Sequence, residues 1–115
     1  MNVTDQRSVK RVGMVIGIRP EKIEEYRQLH DGPCVRDLLR QANIRDFTIY
    51  LGQFDDGRYY EFATYNYVGD DYDADMAWLA AQPRNQAWLA VCDPMQLPFS
   101  GQASWKPLEE IFYNA

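Results

Sequence analysis

The chain has 115 residues, 46% hydrophobic and 14% aromatic, with a formal net charge of −5 at pH 7 and a pI near 4.7. That length fits one domain, the apolar content excludes a disordered chain, and the acidic balance argues against nucleic-acid or membrane-surface partners. The N-terminal stretch lacks the apolar core of a signal peptide, and no apolar run approaches the ~20 residues that span a bilayer. The two cysteines, Cys34 and Cys92, match no zinc or redox spacing, so a cytoplasmic protein with reduced thiols is expected.

Residues 1–8 read as a flexible lead-in and residues 9–115 as a single domain. Val12, Met14, Ile16 and Ile18 recur at period two, the pattern of a half-buried strand. Pro20 suits a first helical turn, and Ile23, Tyr26 and His30 then form one helical stripe that Gly32-Pro33 breaks. Val35, Leu38 and Leu39 predict a second short helix facing inward. A strand follows over 44–53, with Phe47, Ile49 and Leu51 on one face and Thr48 and Tyr50 on the other. Asp55-Asp56-Gly57 signals a hairpin turn, and residues 58–68 return as a strand dense in Tyr, Phe, Thr and Val. Gly69-Asp70-Asp71 ends that strand and offers a helix N-cap. Met76, Leu79 and Ala80 mark a further helix, interrupted at Pro83, and a short helix continues through Trp88 and Val91. After a loop rich in Pro, Gly and Ser, Leu108 to Tyr113 reads as a final strand.

Strand, helix, strand, strand, helix, strand is the order of an α+β fold of the ferredoxin-like split βαβ type, a sandwich with helices on one face of an antiparallel sheet. The other face carries several aromatics, and an uncovered apolar face predicts a partner, most simply a second copy in a homodimer.

His30 is the only histidine, and histidine alone has an unperturbed pKa, about 6.5, that puts proton exchange near neutral pH. Tyr26 lies four residues earlier, so phenol and imidazole share a helix face. The pair is either an acid/base constellation or an ordinary half-buried face. Spacing alone favours the latter, while the uniqueness of His30 and its place beside the Gly32-Pro33 break raise the former. The acidic set Asp70, Asp71, Asp73 and Asp75 lacks the glycine and glutamate of a calcium loop and suits the start of a helix. Trp78, Trp88 and Trp105 read as core material, with a sugar platform as the alternative. Cys34 reads as a small buried hydrophobe, since no second histidine exists to activate it. No metal site is expected.

Together these residues resemble the L-rhamnose mutarotase family. The resemblance is carried by Glu24-Glu25-Tyr26-Arg27-Gln28-Leu29-His30, Phe47-Thr48-Ile49-Tyr50-Leu51, Gln86-Ala87-Trp88 and Leu108-Glu109-Glu110-Ile111-Phe112-Tyr113, in order from about residue 11 to the C-terminus. It implies a dimeric α+β barrel of ferredoxin-like subunits that interconverts the α and β anomers of L-rhamnose, a small monosaccharide, with no metal or cofactor. By that resemblance His30 takes the position of the proton donor, Tyr26 that of a sugar-binding tyrosine, and Trp88 the first place of a tandem tryptophan pair on the sugar. The second place is Leu89 here, a binding tyrosine is replaced by Phe47, and a Trp-Pro after the histidine is replaced by Cys34-Val35. The implied site is therefore His30 and Tyr26 as catalytic groups, with Tyr26, Phe47, Trp88 and Leu89 binding substrate.

Mutarotation opens a hemiacetal and recloses it on the other face of the aldehyde. A positioned acid/base group supplies roughly 10²–10⁴ in rate, enough for a reaction that already runs in water. Two other classes remain open: a cofactor-free monooxygenase on a similar dimeric barrel, and a non-catalytic carbohydrate-binding or regulatory module.

Overall fold

A computed structural model describes residues 9–115, and the lead-in expected over residues 1–8 lies outside them. The alternating run becomes strand β1 (Lys10–Ile18), and Pro20 opens a single 3-10 turn that passes into helix α1 (Ile23–Asp31). Helix α2 (Arg36–Gln41) leads into strand β2 (Ile44–Gln53), and the Asp55-Asp56-Gly57 turn into β3 (Tyr59–Tyr67), with Gly57 at φ 78°. Helices α3 (Tyr72–Ala81) and α4 (Pro83–Cys92) follow, parted at Pro83, which occupies the first turn of α4 where its missing N–H leaves no bond unmade. Asp71 caps α3 by accepting from the Ala74 amide at 3.1 Å. Of the other carboxylates in that group, Asp75 serves a different end: it accepts from the Tyr67 hydroxyl and from Asn43.

With the short strand β4 (Gln96–Leu97) at one edge, the sheet order is β2-β3-β1-β4, and every neighbouring pair is antiparallel. This is the ferredoxin-like arrangement, an α+β fold with its helices on one face. That face holds two buried clusters. Ile18, Tyr26, Cys92 and Met95 form one, with Trp88 and Ile49 against it; Ala42, Ile44, Tyr65 and Tyr67 form the other, with Met76 and Leu79. Burial of such side chains contributes roughly 1.5–3 kcal/mol each before conformational entropy is counted.

A bulge in β2 sets which residues share the inner face. The pairing with β3 slips by one residue between Arg45 and Thr48, where Asp46 takes φ 56°. Strict alternation would put Ile44 and Phe47 on opposite faces; the extra residue brings both to the helix side, and Phe47 stacks on Tyr65 at 5.4 Å.

The final strand differs from the expectation of Leu108–Tyr113. It forms in two pieces on the free edge of β1, β4 (Gln96–Leu97) and β5 (Lys106–Leu108), separated by an excursion over 98–105. Residues 109–115 leave the ladder. The reason is local: Arg11, near the start of β1, holds the tail through side chains, with Glu110 at 2.8 Å and the Tyr113 ring at 3.6 Å, in place of backbone pairing. The opposite sheet face is partly covered from within the chain, by Phe99 stacked on Tyr60 and Phe54 against Tyr60 and Phe62. Tyr50 remains 62% exposed.

Candidate active site

Between the helices and the inner sheet face lies a cavity of about 680 Å³, within the range of small-molecule sites. Tyr26 and His30 of α1, Phe47 of β2, and Trp88 and Leu89 of α4 all line it. The five residues expected from sequence are thus brought together in one place. Tyr26 is buried and His30 half-buried, whereas Phe47 and Leu89 stand about two-fifths exposed at the opening.

The histidine is held on three sides. Its ring stacks on Tyr26 with centroids 4.2 Å apart and meets the edge of Trp88 at 5.0 Å. Its Nδ1–H donates to the Tyr26 backbone carbonyl at 2.7 Å. A carbonyl oxygen only accepts, so the proton sits on Nδ1 and the Nε2 lone pair of the neutral ring is left for chemistry. The end of α1 is secured by Arg36, which donates to the carbonyls of His30 and Gly32 at 2.5 and 3.1 Å and so satisfies two acceptors that the helix leaves open.

Two polar residues at the cavity were not singled out from sequence: Glu61 and Gln96. Glu61 projects from β3 with only 2% of its surface exposed. Its Oε1 is buried without a hydrogen-bond partner among the described residues. Desolvation raises its pKa to about 7, opposed in part by hydrogen bonding from Gln96 and Tyr26. Gln96 donates to the Tyr26 hydroxyl at 3.3 Å. Burial, then the nearby Glu61 charge, pushes the Tyr26 phenol above its ordinary range, so it stays protonated. The only signal in the sequence was a carboxylate amid aromatic strand formers, which on its own reads as a solvent-facing residue.

The cysteines are both free. Cys34 is half-buried on the cavity wall at φ 40°. Burial pushes the Cys92 thiol up to about 12, which keeps it protonated and non-nucleophilic. Of the tryptophans, Trp78 is 37% exposed and so does not serve the core, while Trp88 and Trp105 line the cavity. Among the described residues no cluster of three or more His, Cys, Asp or Glu side chains is placed to hold a metal ion, and no helix is long and apolar enough to cross a membrane.

No curated protein matches the chain. Among solved structures it is similar to the L-rhamnose mutarotase of Formosa agariphila, with a TM-score of 0.67 at 20% identity over 92% of this chain and 99% of that one. The family model for L-rhamnose mutarotase matches residues 11–114. Nearly the whole chain is covered, and it belongs to the L-rhamnose mutarotase family.

Proposed function

We propose that the cavity binds L-rhamnose or a related deoxyhexose and that His30 moves the proton that opens and recloses its ring, interconverting the α and β anomers without a cofactor. The observation that carries this reading is the hydrogen bond from His30 Nδ1 to the Tyr26 carbonyl, which leaves Nε2 as the free base of a residue lining the cavity. Nε2 takes the proton of the anomeric hydroxyl as the ring bond breaks and a second proton reaches the ring oxygen; on reclosure both transfers reverse and the aldehyde oxygen regains its proton. The aldehyde turns about its bond to the ring carbon in between, which is how the configuration changes. Tyr26 orients the sugar through its hydroxyl, and Trp88 supplies an aromatic surface for the ring. Phe47 and Leu89 add apolar wall at the opening, suited to a sugar that carries a methyl group in place of a hydroxymethyl.

We further infer a homodimer in the cytoplasm. The tail supports the first: Ile111 and Phe112 stand 88% and 80% exposed, more than an isolated subunit normally leaves bare in adjacent large apolar side chains. Two free cysteines support the second.

Saturation-transfer NMR tests the activity: one anomeric proton of L-rhamnose is irradiated and the other observed, with L-fucose in parallel. Protein-dependent transfer that disappears in a folded His30→Gln variant is the expected result. Sugar binding with exchange at the buffer rate would assign a binding module instead. Oxygen uptake with an aromatic substrate and no anomer exchange would assign a monooxygenase.

A further inference from the structure

We propose that Glu61 is the second proton-carrying group of this site, the acid at the ring oxygen while His30 is the base at the anomeric hydroxyl; the inference rests on the mutarotase reading above. Ring opening needs a proton removed from one oxygen and another delivered to its neighbour. His30 has one ring nitrogen committed to the Tyr26 carbonyl and one free, so it serves one of those oxygens at a time.

Glu61 has the attributes of the missing partner. It sits on the inward side of β3, paired across the sheet with Ile16 of β1 and Leu51 of β2, neither of which carries charge. The groups facing it from the other elements are the Tyr26 phenol of α1, the Cys92 thiol of α4 and the Gln96 amide of β4, none of them cationic. A carboxylate kept in a fold for structure is normally paired with a cation or fully hydrogen-bonded. Here Glu61, 2% exposed, lines a cavity, and its buried Oε1 has no hydrogen-bond partner among the described residues. The Tyr26 side chain spans the two groups: its ring lies on His30 and its hydroxyl end meets Gln96 and Glu61. Carboxyl and imidazole therefore flank one stretch of the cavity wall, as an acid and a base of unlike environment do in many hydrolytic and isomerising sites.

Neutral His30 takes the proton of the anomeric hydroxyl; the electron pair left on that oxygen forms the carbonyl; the bond to the ring oxygen breaks; the ring oxygen takes the Glu61 proton. The open sugar faces an imidazolium and a carboxylate. Reclosure runs the same transfers backwards onto either face of the aldehyde, and both residues return to their starting state.

The exchange rate of L-rhamnose anomers, measured across pH in the wild type, Glu61→Gln and Glu61→Asp, tests this. The protonated carboxyl is the active form, so wild-type exchange should fall on the alkaline side with a midpoint near 7. Glu61→Gln should lower the rate by about 10-fold or more and abolish the alkaline fall, while sugar still binds; Glu61→Asp should restore part of both. Wild-type exchange with no alkaline fall overturns the assignment, even if the variants fail to fold. So does a Glu61→Gln profile identical to the wild type. A wild type that exchanges no anomers removes the mutarotase reading itself, an outcome distinct from either.

Discussion

Tyr26 holds His30 twice, once by stacking its ring on the imidazole at 4.2 Å and once by offering its backbone carbonyl to Nδ1–H at 2.7 Å. Both contacts follow from residues four apart on one helix. The tautomer is thus set within a single turn of α1, and Trp88 of α4 adds a third contact to the ring. The far end of the phenol depends on the rest of the fold, through Gln96 seventy residues away.

Tyr26→Phe separates these roles. The phenyl ring and the carbonyl remain, so the Nδ1–H tautomer of His30 should persist, as read from the nitrogen shifts of its ring. Gln96 and Glu61 lose the hydroxyl between them, and leaving buried polar groups unpaired costs about 1–3 kcal/mol. Urea unfolding should show a loss of that size, with anomer exchange reduced at unchanged tautomer. A variant as stable and active as the wild type would remove the hydroxyl from the account of the site.

Glu61 should also imprint on stability. Its carboxyl has a pKa of about 7 in the folded protein against an ordinary 4.5. As pH rises from about 4.5 to about 7 the unfolded chain releases this proton first, so the folded state binds more protons and stability falls across that window. The contribution is fully present below about 4.5 and lost above about 7. The shift corresponds to at most about 3 kcal/mol. Asp37, Asp56 and Asp75, whose pKa values are lowered by hydrogen bonds, act in the opposite sense and are common to wild type and variant. Glu61→Gln should therefore gain stability relative to the wild type as pH increases through this window. Melting curves at pH 5 and pH 8 check it, and a difference independent of pH would contradict the burial of this charge.

The tail predicts assembly. Sedimentation of the wild type should give the mass of two chains, and replacing Ile111 and Phe112 together by Asp should give one. A wild type that sediments as a single chain at micromolar concentration would leave those side chains without the partner inferred for them.

The elements were legible because their signals are local. Period-two apolar residues wrote β1, Pro20 and Gly32-Pro33 bounded α1, Asp55-Asp56-Gly57 wrote the hairpin, and Asp71 capped α3. The Tyr26–His30 pair was legible for the same reason, since helical periodicity places both on one face wherever the helix packs. The end of the chain was not. Leu108 to Tyr113 has the composition of a strand, but composition does not show that the Arg11 side chain takes Glu110 and Tyr113, and pairing stops at Leu108 opposite Gly13.

The sequence by itself determined the order of elements, the family, and a helix bearing a tyrosine and the single histidine on one stripe, all properties of near neighbours along the chain. Tertiary structure alone decided that Glu61 faces inward. Residues 59–67 carry aromatic and polar side chains on both faces, so alternation there does not reveal which side meets the helices. The register that pairs Glu61 with Ile16 is what turns it toward the cavity. Likewise the bulge at Asp46, invisible as a pattern, carries Phe47 to the same side as Ile44. A side chain's face in a strand depends on its partner strands, whereas its face in a helix is written in its own spacing.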